Sequence, residues 1–387
     1  MPKTKASLTQ ARRIWLRAQR LDTREPFGSS PQATPAAVQH LGYVQIDTIH
    51  VIERCHHHIL YSRIPGYRRE HLQQAQSVDK TVFEYWAHAL AYLPTADLRY
   101  FVRNMRQYTP RPHPRLKAIK PEEIRNMLAR IRRKGPLTIR DIDEEREVFE
   151  GDLWMSRKPS KRILQLAFTK GLLTISQRTG MLKTYELLPR HFGWQRLPPA
   201  ASVTQVGNYQ LDRALRCQGL ISIESACYMN AASKPLVRRL IEARVRRKEL
   251  VPVTVGSAQH WATPAALDEP HGDPELVHIL SPFDPLIIQR KRLELFFEYQ
   301  HRFEAYVPRE QRVFGYFACP VLVGDEVVAA LDLKTDRERG RLLIQKWTWV
   351  GRGRPRLHKR LIEEELQRFE RFQLARQTSQ PSSLAAD

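Results

Sequence analysis

The chain has 387 residues with 63 Lys and Arg against 41 Asp and Glu, a formal charge of +22 and a pI near 10.1. Hydrophobic residues make up 42%, too many for a disordered basic tail, and the length suits two or three ordinary domains. No window approaches 18 consecutive apolar residues and Met1 to Ser7 has no apolar signal core, so the expectation is a cytoplasmic protein whose field draws polyanions, nucleic acid ahead of membrane.

Ser7 and Gln10 form a Ser-x-x-Gln capping box, after which Ala11, Ile14, Trp15, Ala18 and Leu21 fall on one helical face. A second helix is expected from Thr34 as N-cap, with Pro35 at N1, to Gly42, followed by a strand over Tyr43-Val-Gln-Ile-Asp47. Arg99 to Lys120 holds seven basic residues and no acidic ones, is broken by Pro110, Pro112 and Pro114, and reads as a linker. The next helix has Pro121 at N1, Glu122 and Glu123 in its first turn, basic residues in its last and Gly135 beyond, a pattern that suits the helix dipole.

Thr138 and Asp141 open a short helix, Lys161 to Lys170 forms another ended by Gly171, and Leu172 to Ser176 with Leu182 to Leu187 flank Arg178-Thr-Gly180 as a hairpin. Helices followed by a hairpin describe a winged helix-turn-helix. A third copy runs from about Tyr209 to Leu267, with Leu236 to Glu249 as its long helix and Leu250 to Val255 and Trp261 to Pro264 as its hairpin. Aligned on the helix ends, the first strands read Gly42-Tyr-Val-Gln-Ile-Asp47, Gly171-Leu-Leu-Thr-Ile-Ser176 and Glu249-Leu-Val-Pro-Val-Thr254, and their apolar positions agree. After Leu280 come the alternating stretches Phe303 to Val307, Phe314 to Ala318, Val321 to Val323, Val327 to Lys334 and Leu342 to Trp349. They predict a small antiparallel barrel or curled sheet, before an amphipathic helix over Arg356 to Ala375 and a frayed tail.

Cys55, Cys217, Cys227 and Cys319 are too dispersed for a zinc pair or a disulfide framework and read as reduced, mostly buried thiols. Neither GxGxxG nor GxxxxGK[ST] occurs, which argues against a dinucleotide oxidoreductase or a nucleotide-driven motor. Gln45 and Asp47 occupy positions held by Thr174 and Ser176 in the second copy and by Pro252 and Thr254 in the third. On a strand they project from one face, and a carboxylate beside an amide can hold a water. A solvated edge strand would carry the same pair at no cost. A carboxylate facing phosphate is repelled, however, so in a DNA-facing module it needs a job or must point elsewhere.

Cys55-His-His-His58 invites a zinc reading, but on a strand at most two of these side chains converge and the spacing matches no structural zinc pattern. No metal is expected, and the histidines are placed near phosphate or in a cleft. Glu84, Tyr85, Trp86 and His88 read as a helix with Tyr85 and Trp86 in the core and His88 toward the cleft. Arg238 to Lys248, with six basic residues in eleven, and Arg352 to Arg360, with five in nine, suit phosphate tracking or plain solvation.

The run Val44-Gln-Ile-Asp-Thr-Ile49, the Arg54 to Arg63 stretch, Phe83-Glu-Tyr-Trp-Ala-His88, Phe283-Asp-Pro-Leu286 and Leu331-Asp-Leu-Lys334 together resemble the winged-helix DNA glycosylases of the YcaQ and AlkZ type, over about residues 7 to 350 and in the same order. The resemblance implies tandem winged helices plus a C-terminal β-barrel, excision of N7-alkylated purines and unhooking of interstrand crosslinks such as nitrogen-mustard adducts. It makes Gln45 and Asp47 the catalytic pair, in the carboxylate form of the family's motif, which places the chain nearer the crosslink glycosylases of broad range. Arg54, His56, His57, Arg63, His88, Arg246, Arg247 and Lys248 are the candidate DNA contacts, and no cofactor is implied.

The expectation is therefore an α+β protein with a winged-helix domain at 1–108, a basic linker at 109–120, winged helices at 121–207 and 208–270, and a barrel with terminal helix at 271–387. It would act as a monomeric, nucleoid-associated, monofunctional glycosylase on double-stranded DNA bearing alkylated or crosslinked purines. The rival is a winged-helix transcriptional regulator without enzymatic activity, which would have no use for Gln45 and Asp47 and would usually be a dimer on a two-fold site.

Overall fold

Ser7 caps the first helix as its spacing requires, its hydroxyl accepting the Gln10 amide at 3.1 Å, and the helix runs Leu8–Ala18. Its buried face presents Ile14 and Trp15, and the indole meets Phe296 edge-on at 5.7 Å while the Arg292 guanidinium lies 4.4 Å over it. Burial pushes Arg292 down to about 9, and its Nη2 donates to the Leu220 carbonyl at 2.6 Å.

The computed structural model describes residues 4–110, 118–143, 159–268 and 272–375. The chain divides into two units, one made of Met1–Leu72 with Gln210–Asp387 and the other of Gln73–Tyr209. The expected tail beyond Ala375 and much of the expected linker lie outside the described residues.

In the first unit, Thr4–Ala6 adds a parallel strand to Val251–Val255, which pairs antiparallel with Ala258–Ala262. The helix Val203–Gln218, which belongs to this unit from Gln210 on, and the helices Ile223–Ala226 and Lys234–Arg246 precede that hairpin, and Leu211, Ile221, Val237, Ile241 and Leu250 form a core beneath it. Four more strands, Val277–Ile279, Ala318–Val323, Glu326–Asp336 and Arg341–Trp349, lie antiparallel in that order. The sheet remains open, which corrects the expected barrel. Phe303–Val307 forms no strand, and the strand expected from Phe314 begins only at Ala318. The Glu304 carboxylate instead collects the amides of Val313, Phe314 and Gly315 at 2.9, 2.7 and 3.1 Å, so a side chain satisfies donors that a ladder would have used. The helix Pro355–Leu374 packs on this sheet through Ile362, Leu366, Phe369 and Phe372, each worth about 1.5–3 kcal/mol of burial.

In the second unit, Val82–Trp86 and Leu90–Pro94 form an antiparallel hairpin. This corrects the helix expected over Glu84 to His88; aromatic side chains favour the pleated surface, Tyr85 is buried, and Trp86 is 40% exposed rather than in the core. Arg99–Gln107 is a helix rather than linker, because Phe101, Val102 and Met105 give it a buried face. The helices Pro121–Lys134, Ile139–Asp143 and Pro159–Thr169 follow, then the strands Leu173–Thr179 and Leu182–Leu187, with Leu137–Thr138 pairing to the latter. Gly171 turns the chain between helix and hairpin at φ +68, where a Cβ would press on the Met105 side chain.

Candidate active site

The helix Ala33–Leu41 ends at Gly42, which adopts φ +74 and leaves no room for a Cβ beside the Arg213 side chain. The sharp turn launches a strand of only two residues, Val44–Gln45. Gln45 is buried, and its carbonyl accepts the Cys55 thiol at 3.1 Å. Asp47 lies beyond the strand, so the expectation that both side chains leave one strand face does not apply. Its Oδ1 accepts the Ile49 amide at 2.8 Å in an Asx turn, while Oδ2 has no hydrogen-bond partner among the described residues. The residue is half-buried.

Three elements from far along the chain hold the loop after Asp47. The Arg337 guanidinium donates to the carbonyls of His50 and Ile52, both at 3.2 Å, and the Thr335 amide donates to the Val51 carbonyl at 2.9 Å. The Glu53 amide donates to Gln373 Oε1 at 2.6 Å, and Arg69 Nε meets Glu53 Oε2 at 2.5 Å. Burial alone would push the Glu53 carboxyl up. The His50 hydrogen bond, the charges of His57 and Arg69 and the Arg54 amide outweigh it and hold the group far below the usual carboxylate range. Arg337, Thr335 and Gln373 were not marked by the sequence reading, since each acts through a partner hundreds of positions away.

Cys55–Tyr61 is a helix, not a strand. Alternation therefore says nothing about Cys55 to His58, and among the described residues no group of three His, Cys, Asp or Glu is placed to hold a metal. Burial raises Cys55 well above an ordinary thiol, with the Asp47 charge adding to it. His57 and His58 are each pushed down to about 4 by burial. A hydrogen bond of 2.7 Å joins His57 Nδ1 to Tyr67 Oη, and His58 Nε2 donates to the Ile279 carbonyl at 2.7 Å. His56 is also buried, so His56 and His57 contribute packing rather than open contacts, while Arg54 is half-buried.

Arg63 is the clearest correction among the proposed DNA contacts. It is 0% exposed, and its guanidinium meets Asp284 through two bonds of 2.8 and 3.0 Å. It also donates to the carbonyls of Gln19 and Ile59 and to the Gln19 amide oxygen. Desolvation and a complete set of acceptors make it an internal strut, with no surface left for phosphate. Arg246, Arg247 and Lys248 are exposed at the end of their helix, and Arg247 is partnered by Glu249 at 2.5 Å. His88 lies half-buried at the tip of the second unit's hairpin.

The other carboxylates of the sequence motifs have structural employment. In the second unit Glu84 accepts Arg178 at 2.6 and 2.7 Å and Gln76 at 2.9 Å. In the first, Asp284 holds Arg63, and Asp332 accepts the amides of Tyr316 and Phe317 at 2.9 and 3.0 Å. Asp47 differs in keeping an oxygen uncommitted. Lys183, in the second unit, is pushed down to about 8 by burial, with its Nζ 5.5 Å over the Phe168 ring.

The chain is a mixed α+β protein whose Gln-Ile-Asp turn presents a half-buried carboxylate. The family model described as "DNA glycosylase AlkZ-like" matches residues 38–372, and the chain belongs to that family of DNA glycosylases. Its fold is similar to that of the Streptomyces sahachiroi DNA glycosylase AlkZ, with a TM-score of 0.61 at 17% identity over 95% of this chain and 97% of that one. Family membership replaces the regulator reading with an enzyme acting on DNA. No helix among the described residues is long and apolar enough to cross a membrane.

Proposed function

We propose that the chain hydrolyses the N-glycosidic bond of N7-alkylated purines and unhooks interstrand crosslinks, with Asp47 and Gln45 as its catalytic pair. An N7-alkylguanine carries a positive charge, so the electron pair of the breaking C1′–N9 bond neutralises the departing base and little general acid is needed. What remains is to stabilise an oxocarbenium-like sugar and to deliver water to C1′. Asp47 does the first through its charge and takes the water's proton as the C–O bond forms, while Gln45 positions that water. The observation that carries this reading is the Asp47 carboxylate itself, half-buried, fixed by the Ile49 amide through one oxygen and open at the other.

A crosslinked base stays bonded to the opposite strand and cannot be swung fully out, so the site works as an open cleft rather than a closed pocket. The second and third helix-plus-hairpin segments support a reading as winged helices at 121–207 and 208–270, which with 1–108 would clamp the backbone and leave 271–387 as a C-terminal module. The enzyme acts as a monomer on chromosomal DNA in the cytoplasm. It is monofunctional, with water rather than an amine as nucleophile.

The test is single-turnover incubation with duplexes carrying one N7-methylguanine or one nitrogen-mustard crosslink, followed by alkali and a denaturing gel, with Asp47→Asn in parallel. Strand breaks only after alkali, reduced about 10²–10⁴-fold in the variant, are expected. Undiminished cleavage by Asp47→Asn removes the catalytic assignment, and a borohydride-trapped adduct that survives in Asp47→Asn but is lost in Lys183→Met makes the enzyme a lyase.

A further inference from the structure

The unit formed by Met1–Leu72 and Gln210–Asp387 contains a half-open cavity of about 440 Å³, bounded by the helix Pro355–Leu374, the turn after the helix Cys55–Tyr61 and the strand Val277–Ile279. Four arginines line it, Arg24, Arg68, Arg368 and Arg371. Arg368 is committed to Glu365, with Nε 2.8 Å from Oε2. The Glu365 carboxyl is buried, which raises its pKa against the pull of Arg368, so the pair brings no free negative charge to the wall. Arg24, Arg68 and Arg371 are exposed and form no ion pair among the described residues.

Three unpaired guanidiniums around one concavity repel each other, and ordinary surface solvation would spread them apart. Arginine presents a planar fork of donors that matches phosphate oxygens, and convergence of several forks on one hollow is what an oxyanion requires. The volume falls within the roughly 300–1,000 Å³ range of small-ligand sites and exceeds the needs of a bare phosphate. Val277, Ile279 and Phe372 supply an apolar wall for the organic part.

We propose that this cavity binds a phosphate-bearing ligand of nucleotide size through Arg24, Arg68 and Arg371. Two sources share that chemistry, the sugar-phosphate of a bound DNA strand and a free mononucleotide. The DNA arm rests on the glycosylase reading, and the mononucleotide arm does not.

The experiment uses the full chain and the triple variant Arg24→Ala, Arg68→Ala and Arg371→Ala, with Arg302→Ala and Arg309→Ala as an exposed charge-removal control. Thermal melts confirm that each variant is folded. AMP is titrated by calorimetry up to about 10 mM, and an undamaged short duplex is titrated across a salt series. If the source is a mononucleotide, AMP binds wild type and the triple variant weakens it at least tenfold. If the source is DNA, duplex affinity falls and the log–log salt slope shrinks by about 0.9 in the triple variant but by clearly less in the single variant Arg68→Ala, because the three side chains share one phosphate.

Independent surface charges would instead shrink the slope by about 0.9 for each arginine removed. That outcome overturns the proposal, as does absence of AMP binding together with a triple variant indistinguishable from the control. Failure of wild type to release any base, with AMP or duplex binding lost only in the triple variant, would refute the glycosylase reading and leave the phosphate site standing.

Discussion

Replacing Arg63 by Ala separates an internal strut from a DNA contact. The side chain is fully buried and makes five hydrogen bonds, two of them to Asp284, which is itself 0% exposed. Its removal leaves a buried carboxylate whose remaining hydrogen bond among the described residues is from the Leu286 amide at 2.9 Å. Breaking a buried pair from one side costs about 3–5 kcal/mol, more than the pair's own net contribution, because the abandoned charge has nowhere to go. In a unit of about 250 residues each kcal/mol moves the melting point by about 2–4 °C, so Arg63→Ala should lower Tm by about 6–20 °C. Arg63→Met with Asp284→Leu removes both charges and should recover most of that loss. The assays are thermal melts and duplex binding across a salt series. A Tm within about 2 °C of wild type combined with a smaller salt slope would refute the strut and restore the phosphate contact.

Arg246→Ala and Lys248→Ala should weaken duplex binding regardless of sequence and shrink the log–log salt slope by about 0.9 each, while Arg247→Ala should do less because Glu249 already occupies it; filter binding at several salt concentrations decides. His57, His58 and His278 are pushed to about 4 by burial and protonate near 6.5 once unfolded. Between those values the unfolded chain binds more protons, so stability is present above pH 6.5 and falls as pH drops, by up to about 1.4 kcal/mol per pH unit for each group. Glu53 continues the loss, since its depressed carboxyl contributes stability above its ordinary 4.5 that disappears as pH falls below it. Urea midpoints equal at about pH 7.5 and 5 would contradict the histidine statement, and midpoints equal at about pH 5 and 3 the Glu53 one. Gly42→Ala and Gly28→Ala each place a side chain in the left-handed region, costing about 1–2 kcal/mol, but only at Gly42 does the Cβ meet a neighbour. Gly42 should therefore be the more damaging in denaturant melts, and equal losses would mean Arg213 moves aside freely.

Much of this architecture was legible where short-range rules act alone. Ser7 with Gln10, Pro121 with Glu122 and Glu123, and Gly180 between two alternating runs each fix an element through neighbours three or four residues away. Misreadings arose where tertiary partners decide. Cys55 to His58 have poor intrinsic preference for a helix, yet burial on Ile279 and Phe369 makes one. The Arg99–Gln107 helix did carry a signal in Phe101, Val102 and Met105, masked by its basic residues and the prolines beyond. The strand expected from Phe314 begins only at Ala318, because one carboxylate, Glu304, offered a nearer solution for the amides of Val313, Phe314 and Gly315. Within the site, Gln45 and Asp47 stood out by their chemistry, whereas the bracing by Arg337 and Gln373 had no local mark. Arg63 was misassigned because composition rules place arginine at the surface, and its partner lies 221 residues away.

The order in which this chain leaves the ribosome gives the split first unit a temporal meaning. Residues 1–72 emerge early, but Arg337 and Gln373, which fix the loop after Asp47, come some 300 residues later, a wait of about 15–60 s at ordinary synthesis rates. Every residue of the second unit has by then been made. The carboxylate proposed to activate water therefore acquires its fixed surroundings only some 300 residues after it is made, and a nascent chain tethered beside nucleic acid carries the Gln-Ile-Asp motif without the supports that would aim it.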